Sequence, residues 1–177
     1  MSAIAALLIA CTGKTTDSSS NQPTAEPDAP ADTGTTLPSQ PETFTLVVSG
    51  DTNISLSFDA PTCTITDGVP NFYAYWRDSS GTHKFVLKAE LRGIYAGEGL
   101  YTSADGAIVK LQEEAGGEAR FFQTTTDLPN DPWVEIEGVV DDTVWGTGNA
   151  SNLSGPNGSI SLTPTTFPIW CSEENTN

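Results

Sequence analysis

The feature that most limits how this chain folds is a two-residue rhythm. In HKFVLKAELRG, beginning at His83, the apolar Phe85, Leu87, Ala89 and Leu91 alternate with Lys84, Lys88, Glu90 and Arg92. Successive side chains of a strand point to opposite faces, so this pattern buries one face and wets the other. The rhythm recurs in Phe44, Leu46 and Val48, and in Ile54, Leu56 and Phe58 separated by serines. Further strand-like runs lie at 63–66, 71–77, 107–112, 119–125, 133–139, 143–147, 159–163 and 167–171. Between them stand turn formers, among them Asp67-Gly68, Ser80-Gly81, Asp105-Gly106 and Asn157-Gly158. Leu111 to Ala119 has some helical character, but Gly116-Gly117 predicts a hairpin tip there. The expected fold is all-β, an antiparallel sandwich or barrel of about 8–10 short strands.

Ahead of Thr43 the composition changes. From Thr12 to Glu42, Ser, Thr, Pro, Asp, Gly, Ala and Gln displace nearly every aromatic and branched aliphatic residue. Such a segment buries too little apolar area to offset chain entropy, so it is expected to be a disordered tether with a reach of roughly 30 Å. At its head stands Leu8-Ile9-Ala10-Cys11, closing the apolar run Ala3 to Ile9. This tetrapeptide resembles the bacterial lipobox. The resemblance implies a signal peptide over 1–10 that is removed, a diacylglycerol on the Cys11 sulfur, and anchorage in the cell envelope. Met1-Ser2-Ala3 departs from the usual export signal in having no Lys or Arg before its apolar core. Thr12 stands where many inner-membrane lipoproteins carry aspartate, which by the same resemblance implies the outer membrane. The implied layout is signal 1–10, lipidated linker 11–42, all-β domain 43–172 and a disordered tail 173–177. It is weakly similar to that of the mycobacterial lipoprotein antigen family.

The chain has three cysteines. If Cys11 carries lipid, Cys63 and Cys171 remain to pair, closing a loop of about 108 residues in an oxidising compartment. Two buried free thiols are the alternative reading.

Seven Lys and Arg face 23 Asp and Glu, giving a net charge of -16. A nucleic-acid partner needs a basic stripe to neutralise phosphates, and the basic residues here are scattered singly, so that class is set aside. No apolar run reaches the 18 residues of a membrane-spanning helix, which leaves the lipid as the expected membrane attachment.

No residue is assigned a catalytic role. His83, the only histidine, lacks a GxSxG nucleophile elbow to serve and is expected to be a satisfied strand-end residue. Glu135, Glu137 and Asp141 offer paired carboxylates for a hydrolase, the least favoured reading. Asp127, Asp131, Asp141 and Asp142, with Asn130, are candidate calcium ligands, although no twelve-residue calcium loop is present. In NFYAYW, Phe72 and Trp76 are expected inside, and Tyr73 and Tyr75 outside. Tyr73, Tyr75 and Trp145 are therefore candidate ligand-binding residues on which a pyranose ring could stack. The segment Gly97 to Gly106 lacks the Lys and following helix of a phosphate loop, and is expected to be a bulge and turn. Three functions remain open: a non-catalytic binding or display domain, a carbohydrate-binding module, and a carboxylate-based hydrolase.

Overall fold

A computed structural model describes residues 37–92, 95–124 and 133–172. The described chain is an antiparallel β-sandwich, with one 3-10 turn at Ser103–Asp105. Its thirteen strands are β1 Phe44–Gly50, β2 Ile54–Phe58, β3 Thr62–Thr66, β4 Val69–Arg77, β5 His83–Leu91, β6 Gly99–Tyr101, β7 Ala107–Ala115, β8 Glu118–Gln123, β9 Trp133–Val140, β10 Thr143–Asn149, β11 Asn152–Gly155, β12 Gly158–Thr163 and β13 Thr166–Cys171. The alternating runs form strands as the sequence predicts. Two strands are additional, β6 and β11, each too short for alternation to register. The segment expected to be only a bulge and turn at 97–106 thus contributes β6, whose Leu100 and Tyr101 pair with Glu135 and Val134.

Nine strands form one sheet in the order β2-β1-β12-β11-β8-β7-β5-β4-β3, and four form another, β13-β10-β9-β6. The two edges of the long sheet, β2 and β3, are neighbours in sequence, joined only by Asp59, Ala60 and Pro61. Laid flat, nine strands about 4.8 Å apart would separate those edges by about 38 Å. A three-residue link spans at most about 14 Å. The sheet must therefore curl, and the Asp59 N–H donates to the Tyr75 carbonyl at 2.8 Å where the edges approach.

The curl defines an inside. Leu46 and Val48 of β1, Leu56 and Phe58 of β2, Phe72 of β4, Phe85 and Leu87 of β5, Val109 and Leu111 of β7, Phe122 of β8 and Leu162 of β12 are each at most 1% exposed. Val134, Ile136, Phe167 and Ile169 of the short sheet complete the same core. Gly148 on β10 is needed there: a Cβ would fall 2.4 Å from the Phe167 ring.

Cys63 on β3 and Cys171 on β13 are joined by a disulfide, both fully buried. The last strand is an edge in hydrogen-bonding terms rather than an interior strand, because it pairs only with β10. It is buried all the same: Phe167, Ile169 and Cys171 pack inward beside β3 and β4, and Trp170, on the opposite face of the strand, is covered beside Trp145. The bridge spans 108 residues and ties the two sheets. Replacing both cysteines by alanine is expected to lower unfolding free energy by about 4–5 kcal/mol from lost loop constraint. Equilibrium denaturant unfolding measures this, and a loss under about 1 kcal/mol would contradict it.

Candidate functional site

Residues facing away from the core fall into two territories on the long sheet. Over β1, β2, β11 and β12 they are uncharged: Thr45, Ser55, Ser57, Asn152, Ser154, Ser159, Ser161 and Thr163 alternate with the buried positions. Over β4, β5, β7 and β8 the character changes. Register places Tyr73, Lys88, Lys110 and Gln123 in one row across the four strands. The next row holds Tyr75, Val86, Gln112 and Phe121, and the one beyond it Arg77, Lys84, Glu114 and Ala119.

Tyr73 and Tyr75 project on the outside as the alternation requires, their rings stacked 6.4 Å apart at an interplanar angle of 13°. The Lys88 ammonium lies 5.7 Å from the Tyr73 ring centroid, a cation–π contact. Lys110 donates to Glu90 at 2.8 Å, and Arg92 to the same carboxylate oxygen. Burial alone would raise the Glu90 carboxyl pKa. Hydrogen bonds and charge from Lys110, then Arg92, outweigh burial and hold it below its ordinary value. Lys84 pairs with Glu114 at 2.7 Å.

Counted over this face, Arg77, Lys84, Lys88, Arg92 and Lys110 stand against Glu90 and Glu114 only. Five of the chain's seven basic residues therefore gather on one surface of a protein whose net charge is -16. Lys88 stands directly opposite Lys110 on the neighbouring strand. Like charges so placed weaken strand pairing unless neutralised; Glu90 neutralises Lys110, which leaves Lys88 as the cation of the pair without a carboxylate partner.

The other candidate residues lie elsewhere. Trp145 is on the short sheet, paired across strands with Trp170 at 6.3 Å between centroids, and Gly138 makes room for its ring. The structure brings Tyr73 and Tyr75 together and keeps Trp145 apart on the other sheet. Glu135 and Glu137 stand exposed on β9, where the Thr147 hydroxyl donates to Glu137 at 2.6 Å. Asp141 and Asp142 form the exposed β9–β10 turn, Asp141 with a positive φ of 49°. Asp127 and Asp131 lie outside the described residues, as does Cys11. Among the described residues no group of three His, Cys, Asp or Glu side chains is placed to hold a metal ion.

His83 belongs to a polar plug that sequence reading did not assemble. Glu113, 7% exposed, accepts from His83 Nε2 at 3.1 Å, from Arg120 at 3.1 Å and from the Thr52 hydroxyl at 3.3 Å. Arg120 also donates to the Asn157 carbonyl and lies over the Phe122 ring. Glu113 continues the inward row of Val109 and Leu111, so the only available clue was an acid at a core-parity position. The plug closes one end of the curled sheet with its polar atoms paired among themselves.

Two concavities lie among the described residues. One of about 10 Å³, room for a single water, lies between β4, β5 and β13. The other is an open hollow of about 550 Å³ beside Arg92, Leu100, Ser103 and Asp105. Its carboxylate, Asp105, already accepts from the backbone N–H and hydroxyl of Thr102, which hold its pKa low. No protein-family model, no curated protein and no solved structure matches the chain.

The Glu90 pairings give a pH prediction. A depressed carboxylate contributes stability that is present above its ordinary pKa and lost as pH falls through the lower folded value. Wild-type protein should therefore lose more unfolding free energy than Glu90→Gln on passing from pH 6 to pH 2.5. Parallel denaturant titrations measure the difference, and equal losses would contradict the assignment.

Proposed function

We propose that this protein is a lipid-anchored, non-catalytic binding domain of the bacterial cell envelope, presenting the outer face of β4, β5, β7 and β8 to a glycan ligand. The observation that carries the binding reading is the stacked Tyr73–Tyr75 pair, bordered by Lys88, Lys110, Gln112 and Gln123. Aromatic rings supply apolar faces for sugar rings, while ammonium and amide groups supply hydrogen-bond donors for hydroxyls.

Support for the anchor comes from Leu8-Ile9-Ala10-Cys11 and from the polar segment after it. The Cys63–Cys171 bridge adds to it by leaving Cys11 as the one cysteine without a partner in the chain. A lipid on Cys11 and a tether of about 30 residues would hold the face clear of the headgroups. By the lipobox resemblance, Thr12 favours the outer membrane.

Both halves are testable. Cys11→Ser in the exported chain should move the protein from the membrane to the soluble fraction; unchanged membrane recovery would remove the anchor. Tyr73→Ala with Tyr75→Ala should reduce retention on immobilised polysaccharides by tenfold or more with little change in fold. Trp145→Ala should leave retention in place. Retention that follows Trp145 instead would move the site to the short sheet.

A further inference from the structure

We infer that the ligand of this face is an acidic oligosaccharide, one that carries isolated carboxylate groups between uncharged sugar rings. This deepens the glycan reading above and rests on it. Three observations lead there. The face concentrates five cations against two carboxylates while the chain as a whole carries -16. Lys88 and Lys110 occupy directly opposed positions on β5 and β7, beside the Tyr73–Tyr75 stack. Among the described residues neither Lys88 nor Arg77 is paired with a carboxylate, so each keeps ammonium or guanidinium donors for a ligand.

The geometry sets what fits. The row Tyr73, Lys88, Lys110, Gln123 crosses four strands, about 14 Å at ordinary strand spacing, a span that takes two to three sugar rings. A ring resting on the tyrosines places its neighbour over the two lysines. There a carboxylate accepts charge-assisted hydrogen bonds from Lys88, and from Lys110 alongside the one it gives Glu90. Gln112 and Gln123 remain for hydroxyls.

Net charge selects among anions. At physiological ionic strength charges beyond about 8 Å are largely screened, so an anion in contact with this face responds mainly to its cations. A densely charged polymer overhangs the patch and meets the acidic remainder of the surface. Sparse carboxylates on an otherwise neutral chain escape that penalty, which disfavours nucleic acid and polysulfated chains.

The test uses the full chain in 0.15 M salt. Isothermal titration compares a hyaluronan hexasaccharide, which alternates uronate with neutral sugar, with uncharged chitohexaose and a single-stranded RNA hexamer. The inference expects the acidic hexasaccharide to bind at least tenfold more tightly than either. Lys88→Gln and Lys110→Gln should each cost roughly tenfold toward it and leave any chitohexaose binding unchanged. Thermal melting of Lys88→Gln should match the wild type within a few degrees, because Lys88 has no carboxylate partner, whereas Lys110→Gln should also melt lower because it takes a partner from Glu90. Equal affinity for both sugars, lost in Tyr73→Ala with Tyr75→Ala, would overturn the charge inference and leave the glycan reading standing. No binding to either sugar would overturn both. Tightest binding of the RNA hexamer would overturn both in favour of a nucleic-acid face.

Discussion

The organisation of this domain depends on the three-residue link between β2 and β3. Because it joins the first and last strands of a nine-stranded sheet, the sheet cannot lie flat, and bending gives its two faces different fates. The concave face closes over apolar side chains from both ends of the chain. The convex face turns largely to solvent, although Val86 is buried there, and its exposed residues are free to carry another function. The disulfide from Cys63 to Cys171 fixes the short sheet against the strands that follow the link. Glu113, His83, Arg120 and Thr52 close the opposite need, a polar end to an apolar interior.

The convex face is divided rather than uniform. One half is uncharged, mostly serine and threonine hydroxyls with Asn152 and the exposed Val47 among them. The other half holds most of the cations in the molecule, arranged around two stacked tyrosines. Solubility requires neither feature, since the excess of acids already keeps such a chain apart from its copies, and the ion pairs of Glu90 and Glu114 account for only three of the five cations. Among the described residues Lys88 and Arg77 are left without a carboxylate, and their placement beside the tyrosines points to contact with something outside the domain.

Much of the fold was legible because buried and exposed positions alternate on strands, and alternation is written directly in the residues. Phe85, Leu87, Ala89 and Leu91 announced β5, and Asp67-Gly68 announced the hairpin after β3, where both residues take positive φ. Strands β6 and β11 were not legible because three or four residues are too few to show a period. The position of β13 at a sheet edge was also hidden, since burial in this molecule comes from the partner sheet as well as from hydrogen-bonded neighbours. For the site, parity put Tyr73 and Tyr75 outside, but it could not say that Lys88 and Lys110 face one another. That juxtaposition depends on register between strands separated by 22 positions in sequence, and local pattern does not encode it. Glu113 was passed over for the same reason: its partners come from three separate turns and strands.

The central claim is that one face of an acidic protein presents a positive surface to its ligand. The most direct measurement is paramagnetic relaxation of backbone amides in the ¹⁵N-labelled full chain, with an anionic and a cationic soluble probe of equal size compared in 0.15 M salt. The account predicts that the anionic probe relaxes Tyr73, Lys88, Lys110 and Gln123 more strongly than the cationic one, with the order reversed at Glu135, Glu137, Asp141 and Asp142. Stronger relaxation by the cationic probe at Lys88 and Lys110 as well would mean that the overall negative field governs this surface, and would contradict the account.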